Sequence, residues 1–124
     1  MVKRFNLNGG GRLSYSEPSD VRRLIETALS DDEIAGIIEL CDAEIDRRIG
    51  PQNPSDPLIR RLSALLAART IKLREPKARA IGEYREESGD VLDIWEREIE
   101  RIYRLYEAFK LSSTSYRYME ESRP

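Results

Sequence analysis

Histidine is absent from this 124-residue chain, and cysteine occurs only once, at Cys41. Without histidine, the chain lacks the commonest general base and the commonest transition-metal ligand of proteins. No glycine-rich loop follows a predicted strand, and no ligand spacing of the zinc type occurs. A single cysteine also excludes an intramolecular disulfide bond. The sequence therefore predicts a protein that is not an enzyme, with no catalytic site, no metal site and no cofactor.

Long apolar runs are also missing. No stretch approaches the roughly 18 apolar residues that a membrane span requires, and the N-terminal residues contain no apolar run of the signal-peptide type. Charged residues make up 35% of the chain, but they nearly cancel to a net charge of -2. We therefore expect a cytoplasmic protein that has no membrane contact and no strong overall attraction to nucleic acid.

Four segments show the apolar spacing of helices. The first is predicted to begin near Ser16 or Ser19 and to end near Leu29. The second follows the sequence Ser-Asp-Asp-Glu at residues 30–33, which has the form of a capping box, and is predicted to end at Ile49 because Gly-Pro follows. On this helix Cys41 falls in phase with the apolar residues, so we interpret it as a small buried hydrophobic residue.

The third segment has Ser55 or Asp56 as its cap and is predicted to end at Pro76. The fourth begins at residues 88–90 and is predicted to end near Lys110. Its apolar residues alternate steps of three and four, which favours a single straight partner helix in this chain or another. These residues are Leu92, Trp95, Ile99, Ile102, Tyr106 and Phe109.

Residues 79–87 interrupt this pattern, because they contain a β-branched residue, a glycine and a tyrosine with no helical spacing. The sequence thus predicts an all-α bundle of four main helices with one extended interhelical segment and flexible termini. We divide the chain into a flexible, glycine-rich arm at residues 1–15, a helical domain at 16–110 and a tail at 111–124.

Two groups of charged residues were weighed as sites. The acidic clusters at residues 31–33 and 83–87 are explained by the helix dipole and by an exposed loop, respectively. The arginine pairs at residues 22–23, 47–48 and 60–61 could contact phosphate, but ion pairs with nearby acids are the simpler interpretation. We expect Arg22 to pair with Glu26 and Arg48 with Glu44.

The order of several short motifs resembles the head-tail connector (adaptor) proteins of long-tailed phages and related gene-transfer particles. The similarity spans about residues 15–109. The matching stretches are residues 15–24 (YSEPSDVRRL), 29–34 (LSDDEI), 43–50 (AEIDRRIG), 62–68 (LSALLAA) and 81–84 (IGEY), followed by the final amphipathic helix.

This resemblance implies a subunit of a homo-oligomeric ring, usually dodecameric, that sits under the portal protein in the particle neck and is assembled in the host cytoplasm. The ring would extend the DNA channel, let double-stranded DNA pass without specific binding, and provide a platform for the next tail component, a stopper or tail terminator. The alternative from another class is a small helical DNA-binding or regulatory protein, and an enzyme ranks third.

In such a ring the extended segment and the termini contact other chains. The resemblance therefore assigns Ile81, Gly82 and Tyr84 to a subunit or portal interface, with a strand-like crossover inside the chain as the alternative. The large side chains after the serine-rich run suggest the tail as a further anchor. Because a DNA channel must not bind phosphate tightly, an acidic loop, or the acidic residues of the second helix, would line it. The tail residues are Tyr116, Tyr118 and Met119, and the channel candidates are Glu83, Glu86 and Glu87.

Overall fold

The computed structural model describes the backbone of residues 13–81 and 88–121, and the side chains of residues 13–81 and 91–109. Within these ranges the chain forms four helices and one sheet of two short strands, which confirms the predicted all-α fold. In chain order the elements are α1 (Pro18–Arg22), β1 (Ile25–Glu26), α2 (Asp31–Ile49), α3 (Pro57–Arg74), β2 (Arg79–Ala80) and α4 (Ser88–Glu121).

The first helix is shorter than predicted, because α1 ends at Arg22 rather than near Leu29. Ile25 instead lies opposite Ala80 in the antiparallel pair of β1 and β2. The Arg22 guanidinium donates hydrogen bonds to the Leu29 carbonyl at 2.7 Å and to Asp31 at 3.0 Å, which fixes the non-helical connection to α2. The strand pairing and the hydrogen bonds of Arg22 therefore override the local helical spacing. The predicted pairing of Arg22 with Glu26 is wrong, because Arg22 bonds Asp31 instead.

Both predicted ends of α2 are confirmed. The Ser30 hydroxyl accepts from the Glu33 amide at 3.1 Å, and the Glu33 carboxylate accepts from the Ser30 amide at 2.8 Å, so the capping box is complete. The helix ends at Ile49, and Gly50 follows with a φ of 85°, a left-handed value that suits glycine.

Helix α3 lies at the centre of the domain and contacts α1, α2 and α4. Its N-terminus is capped as predicted, since the Asp56 carboxylate accepts from the Leu58 amide at 2.9 Å. Small side chains along the helix allow its neighbours to approach closely. The buried residues of α3 are Ile59, Leu62, Ser63, Ala64, Leu65, Leu66, Ala67, Ala68, Ile71 and Lys72.

A polar network joins the start of the described chain to the core. Ser63 donates to Asp42 at 2.7 Å and lies 2.6 Å from the Ser16 hydroxyl, while the Tyr15 amide donates to the other Asp42 oxygen at 2.8 Å. The Tyr15 hydroxyl also donates to Asp46 at 2.5 Å. Tyr15 is therefore part of the folded domain, which corrects the predicted arm of residues 1–15.

Helix α4 continues to Glu121 instead of ending near Lys110. Neither glycine nor proline occurs between Gly89 and Pro124, so the sequence contains no strong stop signal in this region. The residues of α4 that enter the core are Val91, Trp95, Ile99, Ile102 and Tyr103.

This buried face differs from the predicted one, since it includes Val91 and Tyr103 and leaves out Phe109. Tyr103 was not predicted to be buried but is almost fully so, whereas Phe109 was predicted to pack and is 73% exposed. Tyr106 bonds Asp56 at 2.6 Å and Glu107 bonds Arg48 at 2.7 Å, which places both beside the N-terminus of α3 and the end of α2. Phe109 lies beyond these contacts and so finds no core to enter.

The unpartnered hydroxyl of Tyr103 yields a stability prediction. This oxygen is buried and makes no hydrogen bond within the described part of the chain. Because an unsatisfied buried hydroxyl is costly, Tyr103→Phe should increase the free energy of unfolding by about 1 kcal/mol in urea denaturation. The matched control, Tyr106→Phe, loses the bond to Asp56 and should decrease it by a similar amount; a destabilised Tyr103→Phe would contradict the interpretation.

Candidate assembly surfaces

The first predicted interface residue, Ile81, follows β2 at the surface of the domain. Its amide donates to the Leu24 carbonyl at 3.1 Å, next to the paired residues Ile25 and Ala80. Residues 79–81 thus form a strand-like pairing inside the chain, as in the alternative considered for this segment. Its predicted contact with another chain remains a prediction. The other predicted residues of this segment lie outside the described residues, namely Gly82, Glu83, Tyr84, Glu86 and Glu87.

A buried lysine holds the turn that leads into β2. Lys72, near the end of α3, donates to the carbonyl of Pro76 at 2.7 Å and to that of Ala78. The Thr27 hydroxyl donates to Glu75 at 2.8 Å from the other side. The extended segment therefore begins from a fixed base. This role of Lys72 was not predicted from the sequence. A lysine in the last turn of a helix before proline is nevertheless well placed to bond the final carbonyls.

An open groove of about 760 Å³ lies beside this turn and β1. The groove is lined by two acidic residues, Glu26 and Glu75, and by two basic residues, Lys77 and Arg79. The opposite charges are equal in number, so the groove offers no selective attraction for an anion or a cation.

The three predicted tail residues Tyr116, Tyr118 and Met119 lie within α4 rather than in an irregular tail. At a rise of about 1.5 Å per residue, the helix extends roughly 20 Å past Glu107, which is bonded to Arg48. These residues would thus be presented on a helix and not on a serine-rich tether. Their role as anchors remains a prediction.

Most of the paired arginines are bonded to carboxylates of the same chain. Arg22 pairs with Asp31, Arg60 with Asp20 at 2.9 Å, and Arg61 with Glu98 at 2.9 Å. The hydrogen bond that Arg60 donates to the Asp20 carboxylate raises the pKa of the Arg60 guanidinium. These contacts support the ion-pair interpretation for Arg22, Arg60 and Arg61.

Arg48 makes the most extensive of these contacts and corrects the predicted pairing with Glu44. Its guanidinium bonds Glu100 at 3.1 and 3.2 Å and Glu107 at 2.7 Å, and it lies 3.9 Å from the centre of the Tyr103 ring. Arg69 similarly reaches Glu96 at 3.3 Å. Helix α4 is thus fastened to α2 and α3 by its own glutamates.

Cys41 is buried between helices as predicted, 3.9 Å from the Thr70 hydroxyl. Burial raises the pKa of its thiol to about 11, so the reactive thiolate is disfavoured. In the described ranges no three side chains of the metal-binding types are grouped to hold an ion, and no helix there has the length and apolar character to cross a membrane.

Comparison with known proteins adds no family assignment. No family model matches the chain, and neither a curated protein nor a solved structure matches it. The resemblance to head-tail connectors therefore depends on the order of the short sequence motifs, and function must be argued from them and from the surfaces described above.

The bond between Arg48 and Glu100 predicts a dependence of stability on pH. Arg48 lowers the pKa of Glu100 in the folded state, so this contribution is complete above the usual glutamate pKa and is lost as the pH falls through the lowered value. Urea unfolding should therefore show Glu100→Gln less stable than wild type at pH 7, with the difference shrinking at pH 3. Glu44→Gln, at an exposed position that does not pair with Arg48, is the control, and a difference for Glu100→Gln that stays constant down to pH 3 would contradict this assignment.

Proposed function

We propose that the chain is a head-tail connector subunit that forms a ring under a portal protein, extends the DNA channel and offers a platform for the next tail component. The observation that carries this proposal is the extension of α4 past the body. This extension begins after Glu107, carries Phe109, which is 73% exposed, and continues to Glu121. A helical extension of this kind is marginally stable alone in water, which favours a role in contacting other chains.

The construction of the body supports the same conclusion. A central helix with ten buried residues and a capped α2 form the body of the domain, and Lys72 bonds the turn from which the extended segment begins. Modest contacts made by such a unit gain strength when they are repeated around a closed ring. The twelvefold symmetry itself comes only from the resemblance.

The extended segment and the end of α4 are the surfaces we assign to portal or neighbouring subunits. Ile81 leaves β2 at the surface, and Gly82 and Tyr84 follow it in sequence. Tyr116 and Met119 occupy the distal part of α4. Large side chains such as these are typical anchors of protein interfaces.

The acidic residues Glu83, Glu86 and Glu87 are our candidates for the channel wall. Every lysine or arginine that contacts a phosphate adds a counterion-release contribution to binding, which would slow the passage of DNA. An acidic or mixed lining avoids this attraction. The internal pairing of Arg48, Arg60 and Arg61 agrees with such a wall and disfavours the alternative of a DNA-binding regulator.

Mixing the purified chain with its cognate portal tests the proposal. Alone, the chain should be monomeric or weakly associated, and with portal it should elute as a ring complex whose mass is measured by light scattering. A variant lacking residues 112–124 should show nearly unchanged thermal unfolding but no incorporation, because it retains every described contact of α4 with the body.

Two outcomes distinguish the connector function from the role of the end of α4 as the anchor. A full-length chain that stays free in the presence of portal would remove the connector function. If the truncated chain is incorporated as efficiently as wild type, the end of α4 is not the anchor, while the connector function stands.

A further inference from the structure

Charge is segregated around α4. Its glutamates at positions 96, 98, 100 and 107 are bonded to arginines of α2 and α3. Arg97, Arg101 and Arg104 follow steps of four and three on the opposite, exposed side of the helix. Among the described residues, no carboxylate lies within 4 Å of Arg97 or Arg104, and Arg101 reaches only Glu98, at 3.9 Å.

Apolar side chains border this basic row. Ile94 and Leu105 are three helical turns apart and therefore lie on the same side of α4. Ile94 is 36% exposed and Leu105 is 51% exposed. The outward face of α4 thus combines a row of arginines with an apolar edge, a combination that suits a protein partner better than phosphate alone, since phosphate does not require apolar contact.

The outer face of α2 has the complementary character. It carries Asp32 and Glu39 beside Leu40, which is 66% exposed, and the exposed Arg47 lies on the same face, seven residues after Leu40. Gly36 and Ala43 are small, so they leave this face without large side chains at these positions. Apart from the adjacent residues and the nearby backbone of α2 itself, no heavy atom lies within 4 Å of the position that a Cβ of Gly36 would occupy. Glycine is less favourable than alanine inside a helix, and the packing of this chain does not require it at position 36.

We propose that the outward face of α4 in one copy docks on the outer face of α2 in a neighbouring copy. The arginines would meet Asp32 and Glu39, and Leu105 would pack beside Leu40 over the small residues. In one chain the two faces cannot meet, because α2 and α4 already contact each other through Arg48 on a different side of both helices.

Such a contact joins two different surfaces, so each copy can bind one neighbour through α4 and another through α2. Contacts of this type generate rings when the rotation closes. The identification of this contact with the ring interface rests on the proposed function, whereas the contact itself can be tested with the isolated chain.

Charge reversal tests the contact by sedimentation velocity over a range of protein concentrations. Arg101→Glu and Glu39→Arg should each weaken self-association by about tenfold or more, because each places like charges together. An equimolar mixture of the two variants should restore it, since each mutated face then meets the oppositely mutated face of the other variant. Arg23→Glu, which changes a side chain 77% exposed on neither face, is the control and should associate like wild type.

Thermal unfolding of each variant verifies that it is folded. Rescue by mixing requires that the two residues meet between chains and would establish the contact. The proposal is overturned if wild type stays monomeric up to about 1 mM, where the binding free energy is only about -4 kcal/mol, or if the mixture does not recover. A failure to recover, combined with ring formation on the portal, would remove this interface and leave the connector function intact.

Discussion

The ion pairs between the glutamates of α4 and the arginines of α2 and α3 determine which side of α4 faces the core and which side faces outward. Arg48 forms ion pairs with Glu100 and Glu107. Arg61 pairs with Glu98, and Arg69 pairs with Glu96. These bonds orient α4, so that its apolar face covers α3 and its own arginines turn outward. In these ion pairs the guanidinium groups of Arg48, Arg61 and Arg69 are bonded to carboxylates and are therefore less available to contact phosphate. Individually, exposed ion pairs contribute little, but a bidentate contact stacked on a tyrosine ring is a more specific arrangement.

Local sequence signals predicted those features of the fold that depend on local interactions. The caps at Ser30 and Asp56 and the stop at Gly50 appear where the sequence places them, because each involves residues within one or two turns. The end of α1 was mispredicted, since pairing of Ile25 with Ala80 depends on residues 55 positions apart in the chain. The partner of Arg48 was mispredicted for the same reason, because Arg48 bonds residues of α4 that lie far along the sequence from the expected Glu44.

The candidate surfaces were predicted less completely. The sequence pointed to the extended segment and to the residues after Lys110, and the structure adds that the first is held by Lys72 and that the second is helical. The faces of α2 and α4 were not predicted as a pair, because a helical repeat shows which residues share a side but not which side is left uncovered. Burial supplies that information: Leu40 and Leu105 are exposed, whereas Ile38 and Ile102 are in the core.

We propose that this chain uses its arginines for its own structure and for protein contacts, so that DNA passes it without being bound. The most direct measurement is a titration of the isolated chain with a labelled DNA duplex, followed by fluorescence anisotropy at physiological salt and at a lower salt concentration. We expect no submicromolar binding of the duplex by the isolated chain at physiological salt. Submicromolar binding that weakens steeply as salt is added would contradict it and would favour a DNA-binding regulator.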